Sequence, residues 1–409
     1  MATTPTQPVG VVSPAPVASP ATLPDTADNT RAYQVNFTES QADTLLLLGT
    51  HRYWLHLSQI AASTKPLEYA PATLASKFFA APSDTAWRAH RVRGYEGTYT
   101  FALRDSARRA GVFNTKLHKR DFLHTNKGEL LTLSEPEFQY MGYSSGLKAL
   151  VFVAYFGLPY SDVIDRTALL LDARSGQVKG TYRIGSASFE AIDCDPQVAP
   201  GEQAILTCAG QLLRAGQPPL SLKRPHAEVR AARFLTDTTM LVVYEFGDYR
   251  PVPPQEEFAP DEAASMPVAG APVTAQMAQP PMEFVSTPAQ RRLPNAIVLS
   301  TSGRQLATFH YDGWLPDMGY SMPRHAVAAS RTYYFLNGEN GKPKSLLLLS
   351  KARPDSVIQL PLKTFTKFQP PRRRQEVKFV LSDGTDDCTF YADSANPRHI
   401  RYARRPAGN

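Results

Sequence analysis

Long apolar runs are missing from this chain. The longest, Ala149–Leu158, is about ten residues and contains a Gly, roughly half of the ~20 that a membrane-spanning helix needs. Cysteine is scarce, with only Cys194, Cys208 and Cys388 in 409 residues, which excludes a small disulfide-stapled scaffold. Helical periodicity is scarce too. Its best stretch, Pro71–Arg91, is interrupted by Pro82, which removes a helical hydrogen bond and clashes with the preceding turn. None of the nine histidines falls in an H-E-x-x-H or Cys/His zinc pattern, so no metal site and no cofactor is expected. The N-terminus lacks the basic and apolar regions of a secretory leader. The remainder is ordinary for a globular protein. Hydrophobic residues make up 43% and charged residues 20%, and 44 Lys+Arg against 37 Asp+Glu give a net charge of +7, which suffices for a real core.

Proline marks the linkers. Six of the 35 prolines fall within Met1–Pro24, a stretch of Ala, Thr, Ser and Val without periodicity. Such a segment buries too little apolar surface to offset its ordering entropy, so residues 1–36 read as a disordered arm. Nine more prolines fall between Pro251 and Pro288, and residues 251–293 read as a disordered insertion. Two origins of the arm compete, a cytoplasmic N-terminus or the stalk of a lipid-tethered envelope protein. The stalk composition favours the periplasm, cell envelope or secretion over the cytoplasm.

From Phe37 onward apolar residues recur with a period near two in short runs closed by turn residues, the pattern of strands. Thr167–Tyr182 reads as two strands turning at Ser175-Gly176, and Asn295–Phe309 as two strands turning at Ser302-Gly303. Glycine supplies the positive φ that such turns need. Ala204–Leu213 repeats the form. A longer apolar strand precedes each of the first two hairpins, Lys148–Gly157 and Thr239–Gly247. Met141-Gly-Tyr-Ser144 is echoed by Met318-Gly-Tyr-Ser321, each expected to lead into a strand, Leu147–Phe156 and Ala326–Leu336.

Units of ~40–50 residues with about four antiparallel strands are β-propeller blades, because one small sheet cannot bury both faces until neighbours stack on it. The expected fold is therefore all-β, a β-propeller over residues 37–409 interrupted by the insertion. Seven blades are favoured at ~47 residues each and six are the alternative at ~55. Two β-sandwiches are the competing architecture. At the level of this pattern the body resembles the degenerate-repeat propellers of bacterial envelope proteins, the TolB-like and lipoprotein types. No Gly-His…Trp-Asp, kelch or NHL signature accompanies it, so the resemblance implies a fold and no functional residue.

Few motifs suggest chemistry. Gly142-Tyr-Ser-Ser-Gly146 matches the nucleophile elbow of serine hydrolases, with Asp312 and His325 following in the required order. That elbow needs a helix after the serine, whereas Ala149–Phe156 reads as a strand, so a blade-connecting turn is expected. Asp383-Gly-Thr-Asp-Asp387 lacks the ligand spacing of a calcium loop and reads as a hairpin turn. Cys194 and Cys208 lie on successive strands, and a disulfide or two buried thiols fit equally. Ten Lys/Arg against five Asp/Glu from Lys363 onward make the C-terminal part basic, although no nucleic-acid motif goes with it. Trp314, with Tyr311 and Asp312 in a turn-rich loop, is the expected rim contact.

The leading expectation is a non-catalytic binding or scaffold protein that presents a propeller face to a protein or glycan partner. A propeller hydrolase or lyase, with its site at the central channel, is the first alternative. Nucleic-acid binding through the basic C-terminal part is the second.

Overall fold

The computed structural model describes residues 30–32, 40–69, 91–126, 128–157, 164–187, 195–208, 210–251, 282–313, 321–339, 342–382 and 386–406. The described part is nearly all β. The first sheet holds β1 (Thr30–Ala32), β2 (Ser40–Leu48), β3 (His51–Tyr69), β4 (Arg91–Asp105) and β5 (Gly111–His118). β2 to β5 form an antiparallel meander, and β1 lies parallel beside β4. The second sheet is the meander β6 (Glu135–Ser144), β7 (Ala149–Gly157), β8 (Ile164–Asp172) and β9 (Val178–Ala187). The third is β10 (Gln197–Val198), β11 (Ala204–Leu206), β12 (Gln211–Arg214) and β13 (Gln217–Ser221).

The fourth sheet pairs β14 (Ala227–Phe234) and β15 (Thr239–Phe246) with β18 (Ala296–Ser300) and β19 (Gln305–Phe309). Between β15 and β18 runs a two-stranded ribbon, β16 (Asp248–Pro251) and β17 (Met282–Val285). The fifth sheet is β20 (Arg324–Val327), β21 (Thr332–Glu339), β22 (Lys342–Ser350) and β23 (Val357–Pro361). The sixth is β25 (Glu376–Ser382), β26 (Asp386–Asp393) and β27 (Ile400–Pro406), with β24 (Thr366–Lys367) parallel to β27. Among the described residues, six sheets of four or five strands and the two-stranded ribbon do not divide into two sandwiches. The first sheet takes more than the expected ~47 residues, because β3 runs 19 residues and β4 15.

The expected hairpins stand where the sequence put them. Gly176 takes φ +71° between β8 and β9, where a Cβ would run into Phe113 and Thr115 of the first sheet. Gly303 takes φ +91° between β18 and β19. The second copy of the Met-Gly-Tyr-Ser echo lies outside the described residues except for Ser321. Met141–Ser144 ends the strand β6, and Ser321 precedes β20. Ala326–Leu336 is not one strand, since it turns at Ala328–Arg331 between β20 and β21. Two boundaries also differ. Residues 30–32 belong to a strand, and 282–291 form β17 and a short helix, Pro288–Arg291, capped by Thr287. The ribbon holds because Arg230 pairs with Glu245 (Nε–Oε2 2.6 Å) while Ser286 Oγ donates to the other oxygen of that carboxylate at 2.8 Å.

The sheets stack face to face, and alternation along the strands shows how. In β7, Leu150, Phe152, Ala154 and Phe156 enter a cluster with the first sheet, while Val151 and Val153 enter one shared with the third and fourth sheets. In β15, Met240, Val242 and Tyr244 face one cluster, and Leu241 and Val243 face the next. In β22, Leu347 and Leu349 face the fourth sheet, and Leu346 and Leu348 face the sixth. Strands covered on both faces read as continuous apolar runs. The four clusters join sheets 1–2, 2–3–4, 4–5 and 5–6, and among the described residues none joins 6 to 1.

Hydrogen bonds fix the direction of the stack. Ser144 Oγ donates to the Glu202 carbonyl at 2.7 Å, and Tyr333 Oη to the Leu235 carbonyl at 3.1 Å. These bonds bring together the first turns of the second and third sheets, and those of the fourth and fifth. Tyr334 Oη reaches the Pro397 carbonyl at 3.2 Å, in the turn that β26 enters. In the sixth sheet it is thus β26 that runs toward the end where the first turn of the fifth sheet lies.

Candidate functional site

The corner between β19 and β20 held the expected contact residues, and the structure makes it a joint between two sheets. Trp314 lies outside the described residues. Tyr311 is not at a rim. It is 1% exposed and inserted in the cluster between the fourth and fifth sheets, with its hydroxyl donating to the Leu336 carbonyl at 3.0 Å. A buried tyrosine must find such an acceptor, and this one ties two sheets together. Asn295 completes the joint. Its Nδ2 donates to the carbonyls of Tyr244 (3.0 Å) and Tyr311 (2.9 Å), and its Oδ1 accepts from the Tyr311 N–H at 2.8 Å. Asp312 is half-exposed. Its N–H donates to Asn337 Oδ1 at 2.8 Å, and its carboxylate meets His310 Nε2 at 2.8 Å. His310 Nδ1 lies 3.0 Å from the Leu293 carbonyl. Both ring nitrogens therefore face acceptors, and chiefly the Asp312 hydrogen bond pushes the His310 pKa up. Tyr311 and Asp312 thus act in packing among the described residues.

The hydrolase-like motif is structural as well. Ser144 is fully buried, its Oγ donating to Glu202 O and accepting the Leu147 N–H at 3.2 Å. It joins β6 to β7 within one sheet, so it is not a connector between blades, and it pins that sheet to the next. His325 stacks flat on Phe379, 4.7 Å between centroids, and burial pushes its pKa down. Cys208 is disulfide-bonded, Cys194 lies outside the described residues, and Cys388 is a buried free thiol. Among the described residues no three His, Cys, Asp or Glu converge as metal ligands. Part of the C-terminal basic charge is consumed internally. Buried Glu376 accepts from Arg401 Nε at 2.7 Å, and Arg372 Nε donates to the Glu376 carbonyl at 2.9 Å.

A larger concavity lies elsewhere, on the face of the first sheet turned away from the second. It encloses about 640 Å³ and is lined by Asp43, Trp54, His56, Arg104, Asp105, Ser106 and Arg109. Register places these residues. Asp43 opposes His56, Leu45 opposes Trp54, and Trp54 opposes Arg104 across β2, β3 and β4. On this face Leu45 is 47% exposed, Trp54 46% and Leu47 65%, while Leu46 between them is buried. The two carboxylates are occupied. Asp43 pairs with His56 Nδ1 at 2.9 Å. Asp105 accepts the N–H groups of Ala107 (2.9 Å) and Arg108 (3.0 Å), the latter bond being the larger cause of its lowered pKa. The guanidinium groups of Arg52, Arg104 and Arg109 have no partner among the described residues. The face therefore offers an aromatic plate, two leucines and unspent positive charge.

The sequence carried one signal for this face that was not read. Thr44-Leu-Leu-Leu-Leu48 has the composition of Ser345-Leu-Leu-Leu-Leu349. The second run is covered on both faces, and the first on one.

The chain matches no protein-family model and no curated sequence. Among solved structures it is similar to a Bacteroides fragilis protein assigned as a 6-phosphogluconolactonase, with 11% identity, 76% of this chain and 89% of that one covered, and a TM-score of 0.25. TolB from Acinetobacter baumannii shares 10% identity over 77% of each chain, with a TM-score of 0.22. The β-propeller domain of the Trilobed protease from Pyrococcus furiosus shares 7% identity, with 91% and 96% covered and a TM-score of 0.21. Overlays this loose carry no argument about this chain, and the fold rests on the sheets themselves.

Proposed function

We propose that this chain is a non-catalytic binding or scaffold protein whose six sheets stack like propeller blades. Its docking surface is the outer face of the first sheet, and its partner is a protein. One observation carries the reading. Leu45 and Leu47 belong to a strand composed like the doubly covered strands of the stack, yet they stand exposed beside Trp54. Trp and Arg are the side chains that most often carry the energy of protein interfaces, and Trp54 sits between the Leu45 and Arg104 positions. The unpaired Arg52, Arg104 and Arg109 select a partner with an acidic rim, since charge complementarity steers association and register. A glycan could stack on Trp54, but Leu45 and Leu47 beside it favour an apolar protein surface. The envelope location rests on the composition of residues 1–36 alone.

The competing occupant is the sixth sheet of the same chain, closing the stack into a ring. Two measurements separate them. With a docking face, Leu47→Asp leaves the melting temperature of the isolated protein unchanged. A photocrosslinker at position 47 in the producing cell gives one heavier adduct, which Arg104→Glu with Arg109→Glu removes. A large loss of melting temperature in Leu47→Asp, or a crosslink to the chain's own sixth sheet, would show a closed ring and overturn the proposal.

A further inference from the structure

A second cleft lies where turns of the fifth and sixth sheets meet. It encloses about 250 Å³ and is lined by Ser330, Thr332, Leu348, Ser350, Arg353, Ser356, Ile358, Asn396, Pro397 and Arg398. No carboxylate lines it. Its only ionisable groups are the guanidiniums of Arg353, from the β22–β23 turn, and Arg398, from the β26–β27 turn. Neither has a hydrogen bond or ion pair among the described residues.

The turns that carry them are fixed from behind. Tyr334 Oη holds the Pro397 carbonyl, and Asp393 Oδ1 accepts the N–H groups of Ala395 (2.8 Å) and Asn396 (3.3 Å). The Ser356 N–H donates to the Arg353 carbonyl at 3.1 Å. The internal bonds use up acceptors and leave donors. Asn396 Oδ1 accepts the Arg398 N–H at 3.3 Å, which frees its Nδ2, and Ser350 Oγ accepts the Ala352 N–H at 3.2 Å, which frees its O–H. Ser356 Oγ is unengaged. The floor is apolar, made by Leu348, Ile358 and Pro397, and a low-dielectric floor strengthens any charge pairing above it. Of the flanking carboxylates, Asp393 is spent on its turn and Asp355 does not line the cleft.

We propose that this cleft binds a tetrahedral oxyanion, the phosphate or sulfate group of a small ligand. Two guanidiniums from different sheets can each present a forked pair of donors to such a group, and Asn396, Ser350 and Ser356 supply the remaining donors. The cleft has room for one such group. The site is independent of the docking face of the first sheet.

The test uses the full chain in inorganic phosphate and in sulfate, against chloride at equal ionic strength. Both oxyanions are expected to raise the wild-type melting temperature saturably. Arg353→Gln and Arg398→Gln should each weaken the apparent Kd tenfold or more, while Arg374→Gln on the exposed turn before β25 does not. The exposed positions of both arginines predict unchanged melting in chloride, which shows that the variants fold. The arms also separate the two sources. A phosphate response that grows from about pH 6 to pH 8, as the second charge forms, against a flat sulfate response points to a phosphate monoester, and equal responses support a tetrahedral dianion of either kind. No saturable shift, or equal shifts in wild type and both glutamine variants, overturns the proposal.

Discussion

Asn295→Ala tests whether the corner between the fourth and fifth sheets is a joint. The side chain makes three hydrogen bonds, two from Nδ2 to the carbonyls of Tyr244 and Tyr311 and one from the Tyr311 N–H to Oδ1. Tyr311 is buried, so water cannot replace these partners. A neutral hydrogen bond is worth a net ~1 kcal/mol, and a buried group left without one costs ~1–3 kcal/mol. The loss expected for Asn295→Ala is therefore about 3 kcal/mol, read as a lower urea midpoint at constant slope. Tyr311→Phe removes only the bond to the Leu336 carbonyl and should lose about 1 kcal/mol. Because Asn295 holds the backbone of Tyr311 itself, the double variant should lose less than the sum. If Asn295→Ala loses less than ~0.5 kcal/mol, or the two losses add fully, the corner is not the joint described and Tyr311 regains standing as a contact residue.

Neighbouring leucines of β2 give a test of register: Leu46→Ala should lose about 2–4 kcal/mol and Leu47→Ala under ~0.5 in the isolated protein, and similar losses would mean that both faces are covered. His310 carries a pH dependence. Its pKa is raised in the folded state, so its contribution is full below the ordinary value near 6.5 and disappears as pH rises through the raised one. The wild type should then outlast His310→Gln by more at about pH 5.5 than at about pH 9, and a constant gap would refute the pairing with Asp312. Glu376 behaves in the opposite sense. Its hydrogen bond from Arg401 lowers its pKa, so its contribution is present above about pH 4.5 and is lost as pH falls through the lowered value. Glu376→Gln should melt earlier than wild type at neutral pH and converge with it in acid, and convergence failing down to about pH 2 would exclude the carboxylate as the cause.

Much of the architecture was legible locally. Gly176 and Gly303 announced their hairpins because a positive φ is a property of single residues. The apolar runs of β7 and β15 announced strands. The one strand expected over Ala326–Leu336 is two, because the chain turns at Ala328–Arg331 with Arg331 at positive φ. Tyr311 and Asp312 were legible as a turn but not as a joint, since the partners Asn295, Leu336 and Asn337 come from other parts of the chain. The cleft of Arg353 and Arg398 left no local signal, because 45 residues separate the two arginines.

The sequence by itself determined an all-β body, the positions of several hairpins and the interruption after Pro251, since each depends on residues close in the chain. Tertiary structure alone decided which face of each strand is covered. Leu45–Leu48 and Leu346–Leu349 are the same four letters. One run has a sheet on either side and the other has one, because burial is set by what a distant part of the chain brings against a strand.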